Sequence, residues 1–357
     1  MRIVYGDVEF KVKAWSQFGV RNIIKELPSD RIGVLAPEVL DELRNRDASV
    51  SAKQLKAMES GDYSELRKTP PPNTDITTEP IRQQEFKVER GGYEVPVTSY
   101  CLESVVGKLK SGVVYFHGGG WRMGSRLNVQ NPLRLLAQLS GALIFNVEYR
   151  LAPEHTYPVG TDDCWAVVKY VHSNAEKLGV DPSRIAVAGD SAGGNFAAVC
   201  SRRDRNGRFN MIRQQILIYP ALTHTDPDGM QDYHFSLDDY EFDDSEAQYI
   251  VPCITALSTS LSGKFLYVNN REEARLPDAS PLLDTDFSRL PKTLIICAEY
   301  DFLTRQCRTY ARRLAKAGVD VTLIIYRGTN HGFMTRVGRY PQSTDVQKEI
   351  AKMSSLL

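Results

Sequence analysis

The chain has 357 residues, 42% of them hydrophobic and 25% charged, with 44 basic and 44 acidic side chains. That is the composition of a globular domain with a large core, and the zero net charge gives no reason to expect a nucleic-acid partner. No apolar run is long enough to span a membrane.

The first residues carry no long apolar core, so no signal peptide is expected. The six cysteines (101, 164, 200, 253, 297 and 307) are scattered without a Cys-x-x-Cys pair. They are expected to be reduced thiols in a cytoplasmic protein, with no metal and no cofactor.

Residues 1–80 are rich in charge and show no strong strand pattern. A helix is expected from Pro37, which stands in its first turn, to Arg44, and another over residues 52–58. The prolines at 70, 71 and 72 mark a stiff, extended connector. Such an N-terminal helical segment suits a cap, a dimerisation arm or an accessory piece, and composition does not choose among them.

From residue 81 to the end the pattern changes. Residues 85–89 and 95–100 alternate around Gly91-Gly92, as a hairpin does. Apolar strands are expected at 112–116, 142–147, 184–188, 215–219, 293–298 and 321–326. Helices are expected at 132–139, 162–178, 192–203, 303–317 and 343–353. Buried strands alternating with helices give an α/β fold, with a mostly parallel central sheet covered by helices on both faces. The alternation breaks between residues 221 and 290, where residues 223–249 are acidic and aromatic. An excursion of that length is read as an insertion over the active site rather than a plain connection.

Gly189-Asp190-Ser191-Ala192-Gly193 lies between an expected strand and an expected helix. Gly-x-Ser-x-Gly in that setting is a nucleophile elbow, in which a tight turn holds the serine hydroxyl clear of the backbone at a helix N-terminus. A serine needs a base to take its proton and a carboxylate to orient that base. Of the six histidines, only 224, 234 and 331 follow Ser191. His331 comes directly after the last strand, where a loop can carry it over the end of the sheet. His224 and His234 lie in the irregular insertion. Asp301, at the end of the preceding strand, is the candidate acid and also a candidate helix cap. Glu299 is two residues earlier, and Asp284 and Asp286 fall at the wrong end of that strand. The loop His117-Gly118-Gly119-Gly120-Trp121 follows a strand and can supply backbone donors to an oxyanion. Gly119 and Gly120 with the N–H of Ala192 are the preferred donors, and Gly118 is a further candidate. His117 precedes Ser191 and is read as a partner that fixes the loop. Trp121 either borders a substrate pocket or packs beneath it. The three glycines are not read as a phosphate loop, since no Lys-Ser/Thr follows them.

Together, His117-Gly118-Gly119-Gly120-Trp121, residues 149–155 (Tyr-Arg-Leu-Ala-Pro-Glu-His), Gly189-Asp190-Ser191-Ala192-Gly193-Gly194-Asn195 and His331-Gly332-Phe333 resemble the hormone-sensitive-lipase-like group of α/β-hydrolases. The resemblance runs from about residue 80 to the end. It implies an α/β-hydrolase fold with a helical cap formed by the N-terminal segment and an insertion at about residues 222–262. It also implies a serine carboxylesterase that carries an acyl group on Ser191 and takes a small-molecule ester. Members of this group also form homodimers, sometimes through an edge strand, here residues 321–326. Phe302 stands where relatives commonly carry proline after the acid. Lipase, amidase or deacetylase activity would use the same residues. A non-catalytic receptor, like the plant gibberellin receptors that have lost the histidine, is disfavoured by the presence of Ser191, Asp301 and His331.

Overall fold

A computed structural model describes residues 8–26, 31–46, 53, 56, 57, 59–67, 74–225, 230, 232, 233, 235–257 and 267–354. Most of the helix expected at 52–58, most of the proline-rich connector, parts of the insertion, and His234 lie outside the described residues.

The strands are β1 (Lys11–Gln17), β2 (Val20–Glu26), β3 (Ile81–Arg90), β4 (Tyr93–Leu102), β5 (Lys110–Phe116), β6 (Leu143–Val147), β7 (Val180–Asp190), β8 (Gln214–Ile218), β9 (Lys292–Tyr300) and β10 (Val321–Asn330). They form one sheet in the order β1-β2-β10-β9-β8-β7-β5-β6-β4-β3. From β2 to β6 every neighbouring pair is parallel. The hairpins at the two ends add the antiparallel pairs, together with β4 against β6.

Alternate residues of each strand feed two cores, as the period-two geometry requires. Val114, Phe116, Val187, Leu217 and Ile295 face one side, against α4 (Val159–Ser173), α5 (Ala192–Gly207) and α7 (Leu303–Lys316). Val113, Tyr115, Ala188, Ile218 and Ile296 face the other, against α3 (Arg126–Ser140) and α8 (Pro341–Ser354). Two further helices pack on that second side: α1 (Pro37–Arg44), through Val39, and α6 (Ala247–Thr255), through Ile250 and Ile254. A short α2 (Ser64–Arg67) completes the described N-terminal segment.

Three expectations need correction. The N-terminal segment is not wholly helical, because β1 and β2 form a hairpin that extends the sheet. Its two-residue turn, Phe18-Gly19, has positive φ at both positions (52° and 78°), the twist that suits a tight hairpin. Residues 321–326 are therefore not a free edge: β9 pairs along one side and β2 along the other. A homodimer through that strand has no unpaired backbone to use. The third correction concerns α3, which begins six residues before the expected Pro132, because the Ser125 side chain caps it by accepting from the Leu127 N–H.

Lys25 anchors the hairpin to α8. Its ammonium lies 2.9 Å from Asp345 and 2.8 Å from Glu349 and is only 8% exposed. Burial pushes the Glu349 carboxyl up, but hydrogen bonds from Lys25 and Lys352 outweigh it and hold the pKa below its ordinary 4.5. That contribution to stability is present above pH 4.5 and is lost as acid carries the pH down through the lowered value. Lys25→Ala leaves two half-buried carboxylates facing each other and is expected to lower the unfolding free energy by about 3 kcal/mol in urea titrations. Lys13→Ala, at the exposed pair with Glu26, should change it by less than about 0.5 kcal/mol. Equal small effects would show that Lys25 does not anchor the hairpin.

Candidate active site

The site is built where β7 turns into α5. Ser191 sits at φ 54°, ψ −116°, a conformation that L residues rarely adopt. Its N–H donates to Ile218 O at 2.9 Å, and its carbonyl accepts from Ala221 N–H and Asn195 N–H, each at 3.1 Å. The glycines on either side are sterically required. A Cβ on Gly189 would collide with the backbone of Gly193, and one on Gly193 would collide with the carbonyl oxygen of Phe116.

His331 arrives from the end of β10, past an irregularity in the β9 pairing between Tyr326 and Asn330. Its Nε2 lies 3.0 Å from Ser191 Oγ, and its Nδ1 lies 2.7 Å from Asp301 Oδ2. Asp301 is fully buried, and its other oxygen accepts from the Leu303 N–H at 2.9 Å, at the start of α7. Both roles foreseen for this residue, carboxylate partner and helix cap, are thus present. Phe302 has φ −51°, an angle that a proline would also hold. Its ring packs on Phe235 of the insertion at 4.8 Å.

The other candidate acids and bases are engaged elsewhere. Glu299 accepts from the Gly328 N–H at 2.8 Å and lies beside Arg327, so it holds the loop that carries His331. Asp284 pairs with Arg202 and Arg205, and Asp286 accepts from the Ser288 N–H. His224 packs at a tilt against both Trp121 and Tyr267, with ring centroids 4.2 and 5.2 Å away, and burial pushes its pKa down to about 3. It stays neutral at pH 7 and lies outside the Ser191–His331–Asp301 chain.

In the glycine-rich loop, the Gly118 N–H donates to Asp190 Oδ1 at 2.9 Å and is not available to a ligand. That removes Gly118 from the candidate oxyanion donors. Among the described residues, the N–H groups of Gly119 and Gly120 have no protein partner, and that of Ala192 opens α5. Gly119, Gly120 and Trp121 all have positive φ, at 132°, 60° and 62°. His117 is fully buried and stacked on Tyr149, whose hydroxyl donates to His117 O at 2.6 Å. It fixes the loop, as its position suggested. Trp121 stacks on Tyr267 at 5.2 Å and also packs against the apolar cluster of Ala221, Phe302 and Leu303, of which Ala221 donates its N–H to Ser191 O. Among the described residues no group of three or more His, Cys, Asp or Glu side chains converges as metal ligands would.

A family model described as the alpha/beta hydrolase fold matches residues 113–335. The chain belongs to the α/β-hydrolase family. A carboxylesterase of Mycobacterium tuberculosis, NlhH, is 37% identical over 72% of this chain and 79% of its own length. An arylesterase of Saccharolobus solfataricus is 29% identical over 72% of this chain and 79% of its own. Among solved structures, an esterase of Pyrobaculum calidifontis is 30% identical, with a TM-score of 0.70, covering 90% of this chain and 98% of that one.

Two residues of this α/β-hydrolase site escaped the sequence reading. Asp190, inside the elbow motif, is buried and accepts from both the Gly118 N–H and the Tyr115 hydroxyl, each at 2.9 Å. It ties the elbow to the glycine loop. The signal was a carboxylate in a turn with almost no solvent access. The second is Tyr240, whose hydroxyl donates to the backbone carbonyl of Asp301 at 3.0 Å and links the insertion to the main chain that carries the carboxylate. Nothing in its local sequence distinguishes it.

Burial disfavours the charged form of His331, yet the charge and hydrogen bond of Asp301, with the charge of Asp190, raise its pKa above the ordinary 6.5. An NMR titration of the imidazole should therefore find wild-type His331 titrating above 6.5, and Asp301→Asn should move the midpoint down. A midpoint unchanged by Asp301→Asn would show that the pair is not coupled.

Proposed function

We propose that this α/β hydrolase is a serine carboxylesterase for small, short-chain acyl esters, working through an acyl-enzyme on Ser191. The observation that carries the proposal is the unbroken chain from Ser191 Oγ through His331 to buried Asp301, at 3.0 and 2.7 Å. Similarity to carboxylesterases and arylesterases supports the ester-hydrolase activity itself.

In the first half-reaction His331 takes the Ser191 proton as the oxygen attacks the ester carbonyl. Asp301 holds the imidazole's Nδ1–H, which keeps Nε2 aimed at the serine and stabilises the imidazolium. The N–H groups of Gly119, Gly120 and Ala192 receive the developing oxyanion. The imidazolium then protonates the leaving alcohol. In the second half-reaction His331 activates water, which attacks the acyl-serine, and the proton returns to Ser191 as the acid leaves. No metal or cofactor enters either step. The base must be neutral, so the rate should rise with pH through the raised pKa of His331.

The preference for short acyl chains rests on the walls of the site. Trp121, Phe235 and Leu257 pack around Ala221, Phe302 and Leu303, an apolar cluster joined to the serine where the Ala221 N–H donates to Ser191 O at 3.1 Å. The N-terminal segment and the insertion would together form the cap over it. Their mutual contacts support this: Asp243 N–H donates to Gly33 O at 2.8 Å, and Leu35 N–H to Glu246 at 2.8 Å. Asp238, Asp239, Glu241, Asp243 and Asp244 of the insertion are exposed. A cap surface so acidic suits dissolved esters better than a lipid interface. The proposal includes a cytoplasmic location, supported by six free cysteines, five of them buried.

Hydrolysis of nitrophenyl acetate and butyrate by wild type beside Ser191→Ala tests the proposal. The variant is expected to lose about six orders of magnitude in kcat. Equal rates in the two proteins would remove Ser191 as nucleophile. In an acyl-chain series, activity should peak at acetate to butyrate; a peak on long chains with a jump above the micellar threshold would make the enzyme a lipase instead.

A further inference from the structure

One guanidinium lies against the glycine-rich loop without entering the reaction described above. Arg67 ends α2 in the N-terminal segment, and all of its donating nitrogens are engaged. Nε donates to Arg122 O at 2.8 Å and Nη2 to Ala152 O at 2.9 Å. Nη1 and Nη2 hold the two oxygens of Glu154 at 3.0 and 2.8 Å. The two carbonyls belong to neighbouring pieces of chain. Arg122 closes the turn that begins at Gly119, whose carbonyl accepts from the N–H groups of Arg122 and Met123 at 3.2 and 2.9 Å. Ala152 belongs to the adjacent loop and donates its own N–H to Trp121 O at 2.9 Å. The fork of Arg67 therefore straddles the seam between the glycine turn and the loop that supports it.

The same segment grips the turn a second time. The Arg122 side chain donates from Nη1 to the Tyr63 hydroxyl at 2.9 Å, lies over the Tyr63 ring at 5.1 Å, and donates from Nε to Gly120 O at 3.2 Å. Tyr63 is 1% exposed, so this contact is set in a packed environment. Three consecutive residues of the turn, Gly119, Gly120 and Trp121, have positive φ. A backbone of that kind persists only where the surroundings over-determine it. Oxyanion donors contribute most when they are already aimed before the charge develops.

We infer that Arg67 is a positioning residue for the oxyanion loop, so that the N-terminal segment sets the aim of the Gly119 and Gly120 amides. The inference rests on the esterase reading of the site. Arg67 touches neither substrate nor Ser191 and acts through the carbonyls of Arg122 and Ala152. A lysine at 67 keeps the charge and can still meet Glu154, but an ammonium cannot span both carbonyls and the carboxylate in one plane. Removing the fork should therefore weaken transition-state binding more than ground-state binding.

The test compares kcat and KM for nitrophenyl butyrate in wild type, Arg67→Lys and Arg67→Ala. It adds the inhibition constant of an alkyl boronic acid, which forms a tetrahedral adduct on serine, and the thermal midpoint of each protein. Both variants are expected to lose about 10- to 100-fold in kcat, with KM within about threefold of wild type. The boronic acid should weaken by a similar factor, and the thermal midpoint of Arg67→Lys should stay close to that of wild type. If Arg67→Ala does not fold, Arg67→Lys decides alone. A kcat for Arg67→Lys within twofold of wild type overturns the inference. So does a loss confined to KM, or one that vanishes on cooling in step with thermal stability. Wild-type protein inactive on every ester would bring down the esterase reading and this inference with it, a result distinct from an active wild type with unaffected variants.

Discussion

The backbone of Gly193 lies against the carbonyl of Phe116, with no room for a Cβ between them. This contact brings the first turn of α5 onto the end of β5, and with it the two groups the chemistry needs side by side. Ser191 leaves the turn on one side, and the glycine loop leaves β5 on the other. Asp190 then locks them together through Gly118 and Tyr115. The strained φ at Ser191, worth about 1–3 kcal/mol, is sustained by the packing of α5, whose residues Phe196, Ala197 and Cys200 are wholly buried.

The parallel sheet delivers the remaining groups to the same end. β9 ends at Tyr300, just before Asp301, and β10 ends at Asn330, just before His331. The two strand ends pair at Asn330 and Tyr300, which fixes the reach of imidazole to carboxylate. What the sheet does not fix, the N-terminal segment and the insertion secure. Ala36 N–H donates to Gly328 O at 2.8 Å beside the histidine loop, Tyr240 holds the carbonyl of Asp301, and Arg67 spans the glycine turn. These pieces hold the surroundings of Ser191, His331 and Asp301 at three places, so a segment outside the family-matched residues 113–335 contributes to the order of the site.

The elbow, the alternation of strands and helices, and the pairing of Asp301 with His331 were legible in the sequence because each is local or follows from chain order. Position at the strand end separated Asp301 from Glu299, two residues away, and the structure gives them different partners. The β1–β2 hairpin was not legible. Val12 and Ala14 alternate with Lys11 and Lys13 in β1, but every residue of that strand is exposed, so the alternation marks no buried face, and β2 buries only Val20, Ile23 and Lys25. Its stability comes from backbone pairing to β10 and from the ion pairs of Lys25, both with residues some 300 positions away. Gly118 failed as an oxyanion donor for a similar reason: its N–H is taken by a carboxylate 72 residues later, a contact that a motif does not record. Trp121 was left between pocket wall and packing, and its contacts reach both Tyr267 in the core and the cluster of Ala221, Phe302 and Leu303.

The central claim is that the acyl group passes through Ser191. Acid-quenching the enzyme during turnover of nitrophenyl butyrate, followed by peptide mass spectrometry, tests it most directly. The account predicts one butyryl group on the peptide that contains Ser191, formed and discharged at rates that match turnover. Turnover with no acylated peptide at any quench time, or with the acyl group on a different residue, would contradict it.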